Sequence, residues 1–128
     1  PILCGHQGVA SPENLSGRAL ELIDREIAGR KPLFISSIST WEISMLVSRG
    51  RLDLTMDVRD WISKSESLAY FHFIPVDNAI AYKSVFPPEP LHDDPADRII
   101  YATALTQGAS LVTKDIKLLE LTSVETIW

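Results

Sequence analysis

Apolar residues recur along this chain in two alternating rhythms, one helical and one strand-like. Between Ser16 and Gly29, Ala19, Leu20, Leu22, Ile23 and Ile27 fall close to one stripe, while Arg18, Glu21, Asp24 and Arg25 lie elsewhere. That spacing predicts an amphipathic helix stopped by Gly29. Leu33–Ser37 is a short apolar run introduced by Pro32 and fits a buried strand. Ser39-Thr40-Trp41-Glu42 has capping-box spacing and predicts a helix to about Arg49, ended by Gly50. Asp57 to about Leu68 reads as another amphipathic helix with Val58, Trp61 and Ile62 inward, and Phe71–Val76 as a strand. Asp77 caps a short helix, Asn78–Ser84, before a rigid Pro-rich connection from Phe86 to Asp93. Asp94-Pro95-Ala96-Asp97 then opens a helix, with Asp94 as N-cap and Pro95 at its first position. Ile99, Ile100, Ala102, Ala104 and Leu105 give its core face, and Gly108 ends it. Ser110–Thr113 reads as a strand, Ile116–Leu121 as a brief helix and Val124–Trp128 as a last strand. Strands alternating with helices predict an α/β fold whose mostly parallel sheet is covered on both faces.

Length and composition narrow this picture. A chain of 128 residues fits a single domain over 1–128, and 45% apolar residues give it enough material for a core. No apolar run approaches the ~20 residues of a membrane span, and no secretory leader pattern appears. A lone cysteine, Cys4, excludes an internal disulfide and a cysteine-based zinc site, so a cytoplasmic location is expected. The net charge of −5 argues against broad electrostatic binding to a nucleic-acid backbone. Any phosphate ligand has to be met by a local basic patch or a bound cation.

Three acids fall where the carboxyl ends of parallel strands gather chemistry. Glu42 lies at the start of the helix after the Leu33 strand, Asp115 just past Thr113, and Asp97 in the first turn of the helix feeding that same strand. Brought together, they form a carboxylate cluster that needs a cation, and oxygen-rich clusters favour Mg²⁺ or Mn²⁺. Each acid also has a plain structural reading: Glu42 closing a capping box, Asp97 complementing a helix dipole, Asp115 capping a helix.

Read in order, Ser39-x-Trp41-Glu42-Ile43, His92-Asp93-Asp94-Pro95-Ala96-Asp97-Arg98-Ile99-Ile100 and Leu111-Val112-Thr113-Lys114-Asp115 resemble a PIN-domain ribonuclease, most closely the VapC-type toxins of bacterial toxin–antitoxin pairs. Ser11-Pro12-Glu13-Asn14-Leu15-Ser16 and the closing Ile127-Trp128 fit that branch too, so the resemblance runs from about Ser11 to Trp128. It implies a three-layer α/β/α sandwich and metal-dependent hydrolysis of RNA phosphodiesters with Mg²⁺ or Mn²⁺. It assigns Glu42, Asp97 and Asp115 to the catalytic, metal-holding site, with Asp97 as the foremost ligand. Thr113 becomes a hydroxyl that positions ligands or water, and Asp94 a helix cap beside the site. The implied partners are a VapB-type antitoxin covering the acid pocket and a second copy in a homodimer.

The start of the chain departs from that pattern. The family places a further acid in an apolar-Asp-Thr motif on the first central strand, but Pro1-Ile2-Leu3-Cys4-Gly5-His6 offers none. If Ile2-Leu3 is that strand, degraded or truncated, Cys4 stands where the aspartate belongs and the helix after it is shortened. Processing, truncation and a changed reading frame all fit this start. The departure raises an alternative function, a degenerate PIN domain that binds RNA or a partner without cutting. Cys4 with His6 offers a soft-metal pair or a nucleophile and its base, but two residues are too small a ligand set for zinc, and a small residue beside a solvent-facing imidazole is the simpler reading. A receiver-like phosphoacceptor domain ranks last, because it needs acids after the first strand. His92 and His72 read as a loop and a strand-surface residue. Arg98 is a candidate contact for a site acid or for phosphate, and Arg49, Arg51, Lys114 and Lys117 are candidates for a local basic rim.

Overall fold

A computed structural model describes residues 1–6, 10 and 12–128. Gln7–Val9 and Ser11, and with them the start of the Ser11–Ser16 motif and the expected shortened helix, lie outside the described residues. The strands are β1 (Ile2–Cys4), β2 (Leu33–Ser36), β3 (Phe71–Ile74), β4 (Ser110–Val112) and β5 (Thr126–Ile127). They form one sheet in the order β3-β2-β1-β4-β5, and every pairing is parallel. The expected "mostly parallel" sheet is thus wholly parallel among the described residues. The Ile2-Leu3 segment is not a fringe of the fold. It is the middle strand, with Cys4 in register between Ile35 and Val112.

The helices are α1 (Gly17–Ala28), α2 (Ser37–Ser48), α3 (Val58–Ser67), α4 (Asn78–Val85), α5 (Pro95–Gln107) and α6 (Ile116–Leu119). Strand alternation sorts the core into two layers. On one face Leu3 and Leu111 pack with Ile100, Tyr101 and Ala104 of α5. On the other, Ile2, Cys4, Leu33 and Val112 pack with Ala19 and Ile23 of α1. Helices therefore cover both faces, the three-layer arrangement expected. Tyr101 and Thr103 are wholly buried in α5 in addition to the aliphatic face read from sequence. The tyrosine reaches Ser123 with its hydroxyl, and the threonine donates to the Ile99 carbonyl.

The termini follow local chemistry. Ser16, Asp57, Asp77, Asp94 and Asp115 each accept a backbone N–H at a helix start. Gly108 closes α5 in the left-handed region at φ 62°. Gly29 caps the end of α1 as predicted, the left-handed residue is the next one, Arg30 (φ 57°), and the Lys31 N–H donates back to the Glu26 carbonyl. Among the described residues no helix is long and apolar enough to cross a membrane.

Candidate active site

The carboxyl ends of β1, β2 and β4 lie side by side because the strands are parallel and adjacent, so the residues that follow them share one edge of the sheet. After β2, the Ser36 hydroxyl accepts the Ile38 N–H and starts α2 at Ser37. The capping box expected at Ser39 is therefore not used. Ser39 sits inside the helix, wholly buried, and its Oγ has no hydrogen-bond partner among the described residues. Glu42 moves into the second turn and is released from any capping duty. Its Oε1 is buried without a hydrogen bond, and the Nδ1 of His6 stands 3.3 Å away at ion-pair distance. His6 is only 21% exposed, so it is not the solvent-facing imidazole expected from sequence.

The second half of the edge comes from α5 and from the turn after β4. Asp94 Oδ1 accepts the Asp97 N–H at 2.9 Å, which fixes the first turn of α5. Asp97 Oδ2 lies 2.8 Å from the Nε2 of His92. Asp115 caps α6 through a bond from the Lys117 N–H, and the buried Thr113 hydroxyl accepts the Asp115 N–H at 3.1 Å. His92, Asp97 and Asp115 each present a donor atom, all within 4.8 Å of one another. Burial pushes the Asp97 carboxyl above its ordinary range, and the charges of Asp94 and Asp115 add to the shift against the opposing bond from His92.

Sequence reasoning placed Glu42, Asp97 and Asp115 in one cluster. The structure joins Asp97 and Asp115 with His92, and leaves Glu42 beside His6. His92 read as an ordinary loop residue. Its only signal was position, five residues before Asp97 and just ahead of the N-cap. Arg98 also needs correcting. It forms no ion pair with a site acid, because its guanidinium is spent on backbone carbonyls: Nε on Ser84, Nη1 on Leu91 and His92, and Nη2 on Val85. Arg98 is thus a clamp on the loop that carries His92. Arg98→Ala is expected to lower unfolding free energy by ~2–3 kcal/mol in urea titration, with Arg98→Lys recovering only part, since an ammonium cannot span that fork of acceptors. Cys4 is 4% exposed, and burial pushes its thiol up to about 12, which disfavours the thiolate that a nucleophile needs.

A small cavity of about 100 Å³ adjoins this edge, lined by His6, Asn14, Leu46, Arg51 and Lys114 among others. It brings two of the four expected rim cations, Arg51 and Lys114, to one place, beside the His6 that faces Glu42.

The PIN domain family pattern matches residues 7–123. The chain belongs to the PIN domain family. The matched span begins beyond Cys4, at the point where the first-strand motif is lost. Ribonuclease VapC22 of Mycobacterium tuberculosis is 32% identical over 109 residues, covering 85% of this chain and 79% of its own length. Among solved structures, a toxin–antitoxin complex from Klebsiella pneumoniae superposes with a TM-score of 0.67 at 18% identity, covering 97% of this chain and 95% of that one. VapBC2 from Rickettsia felis, bound to a DNA fragment from its promoter, gives 0.66 at 17% identity, covering 98% and 96%. At such low identity these two show the fold of the PIN domain, a parallel sheet between helices.

The donor set suits a divalent ion. Two carboxylates and an imidazole converge, one carboxyl is held in an environment that disfavours its free charge, and Glu42 keeps a buried oxygen with no hydrogen bond.

Proposed function

We propose that this PIN domain is a metal-dependent endoribonuclease, the toxin half of a toxin–antitoxin pair. The observation that carries the reading is the convergence of Asp97 and Asp115 at the carboxyl edge of the sheet, with Asp97 disfavoured as a free charge. Asp97 and Asp115 hold a Mg²⁺ or Mn²⁺ ion, and Glu42, beside His6 on the same sheet edge, is the third site acid by family resemblance rather than by membership of that donor set. When bound, that ion supplies Lewis-acid chemistry for hydrolysing a phosphodiester. The chain's own residues do the positioning. Asp94 fixes the turn that carries Asp97, and Thr113 fixes the turn that carries Asp115. Arg51 and Lys114 offer local positive charge to RNA phosphates, which an acidic protein otherwise repels.

The relation to VapC22 and to solved toxin–antitoxin assemblies supports RNA as substrate and a VapB-type antitoxin as partner; a homodimeric assembly and action in the cytoplasm belong to the same proposal on family resemblance alone. A specific observation favours a second reading. The middle strand ends in Cys4 rather than an acid, and on that reading the domain binds RNA or a partner without cutting it.

Incubating the purified chain with RNA separates the two. Cleavage restored by Mg²⁺ or Mn²⁺ after chelation is the expected result. RNA binding with no cleavage at any concentration of either ion overturns the nuclease reading in favour of the degenerate domain.

A further inference from the structure

We propose that His92 is itself a ligand of the bound ion, and that its imidazole makes this centre select Mn²⁺ over Mg²⁺. The inference rests on the reading that the site binds a divalent ion. Adjacent ligands on an octahedral ion with bonds of ~2.1 Å lie ~3.0 Å apart, and opposite ones ~4.2 Å. His92 Nε2 and Asp97 Oδ2, at 2.8 Å, already stand at the spacing of adjacent ligands. The Asp115 donor lies within 4.8 Å of both, so a modest side-chain rotation closes the set.

The loop around His92 is built to hold it still. Pro87, Pro88 and Pro90 stiffen the approach. Arg98 Nη1 bonds the carbonyls of Leu91 and His92 at 2.9 and 3.0 Å. At the other end Glu89 accepts the N–H groups of Thr122 and Ser123, which anchors the loop to the turn before β5. Fastening the chain at Glu89, Leu91 and His92 itself, just ahead of α5, removes the conformational freedom an idle loop residue keeps. The first turn of α5 does not need the imidazole, since Asp94 already caps it.

Donor chemistry sets the selectivity. Mg²⁺ prefers oxygen and keeps its waters, whereas imidazole nitrogen suits transition ions. For Nε2 to coordinate, the ring carries its single proton on Nδ1, so the neutral imidazole binds by a change of tautomer with no net proton loss. The competing role is a hydrogen bond that only orients Asp97, as histidine–carboxylate pairs do around metals.

Mn²⁺ titrated into the intact chain, followed by calorimetry and pulsed EPR, separates these. The expected result is nitrogen modulation from one directly bound imidazole. His92→Gln is expected to erase it, to weaken Mn²⁺ binding ~10–100-fold and to leave Mg²⁺ binding within a few-fold. Bound Mn²⁺ with oxygen couplings alone in the unaltered protein overturns the proposal and leaves the metal site standing. No Mn²⁺ binding overturns both. The decisive signal comes from the unaltered chain, so a variant that folds poorly does not blunt the test.

Discussion

Asp97→Asn is expected to abolish RNA cleavage while raising the melting temperature of the ion-free protein at neutral pH. The two effects share one cause. Burial, with the charges of Asp94 and Asp115, makes the ionised Asp97 carboxylate unfavourable in the folded state. The folded pKa lies above the unfolded one, so this group's stabilising contribution is complete below the unfolded pKa. It is lost as pH rises through the folded pKa. At neutral pH the ion-free protein carries the full disadvantage, and Asn removes it. The same carboxylate is the foremost proposed holder of the ion, whose loss costs several kcal/mol of transition-state stabilisation. At ~1.4 kcal/mol per factor of ten, that is a fall of at least ~100-fold in cleavage rate. Melting curves without metal, from about pH 3 to about pH 7, are expected to show Asn gaining on Asp as pH rises. Cleavage that persists unchanged in Asp97→Asn removes this residue from the site.

Cys4→Asp is expected to act in the opposite sense. It places a carboxylate at the end of the middle strand, among Ile2, Ala19, Ile23, Leu33 and Val112. An uncompensated charge at a position 4% exposed costs the ion-free fold ~2–4 kcal/mol, a drop of roughly 10 °C in melting temperature. The family resemblance gives that position to a site acid, so a divalent ion is expected to return most of the loss and to raise cleavage above that of the Cys4 chain. Melting with and without Mn²⁺, beside the RNA assay, reads both. A variant whose melting point no ion restores shows that this strand end does not address the ion.

Much of the fold was legible because its signals are local. Asp94-Pro95 and Gly108 bracket α5 within a residue, and Asp77 and Asp115 cap their helices as their spacing predicted. The start of α2 was misread because Ser36 and Ser39 both precede helical residues, and only the end of β2 decides which one caps. β1 looked degraded because it lacks the acid of the family's apolar-Asp-Thr motif; its place in the middle of the sheet comes from pairing with β2 and β4. The convergence proposed as a site was legible where motifs reported it, at Asp97 and Asp115. It was illegible where tertiary contacts decide. His92, His6 and the clamp formed by Arg98 depend on neighbours that no spacing rule brings together.

The position of β1 also governs how the molecule comes apart. This strand is the seam between two pairs, β3-β2 on one side and β4-β5 on the other. Glu42 follows the first pair, whereas Asp115 follows β4. Cys4 and Val112 meet from far ends of the sequence, the kind of non-local closure that comes late in folding. Withdrawing one three-residue strand is therefore expected to open the sheet between the edge that leads to Glu42 and the edge that leads to Asp115, while leaving Asp97 and Asp115 on the same side.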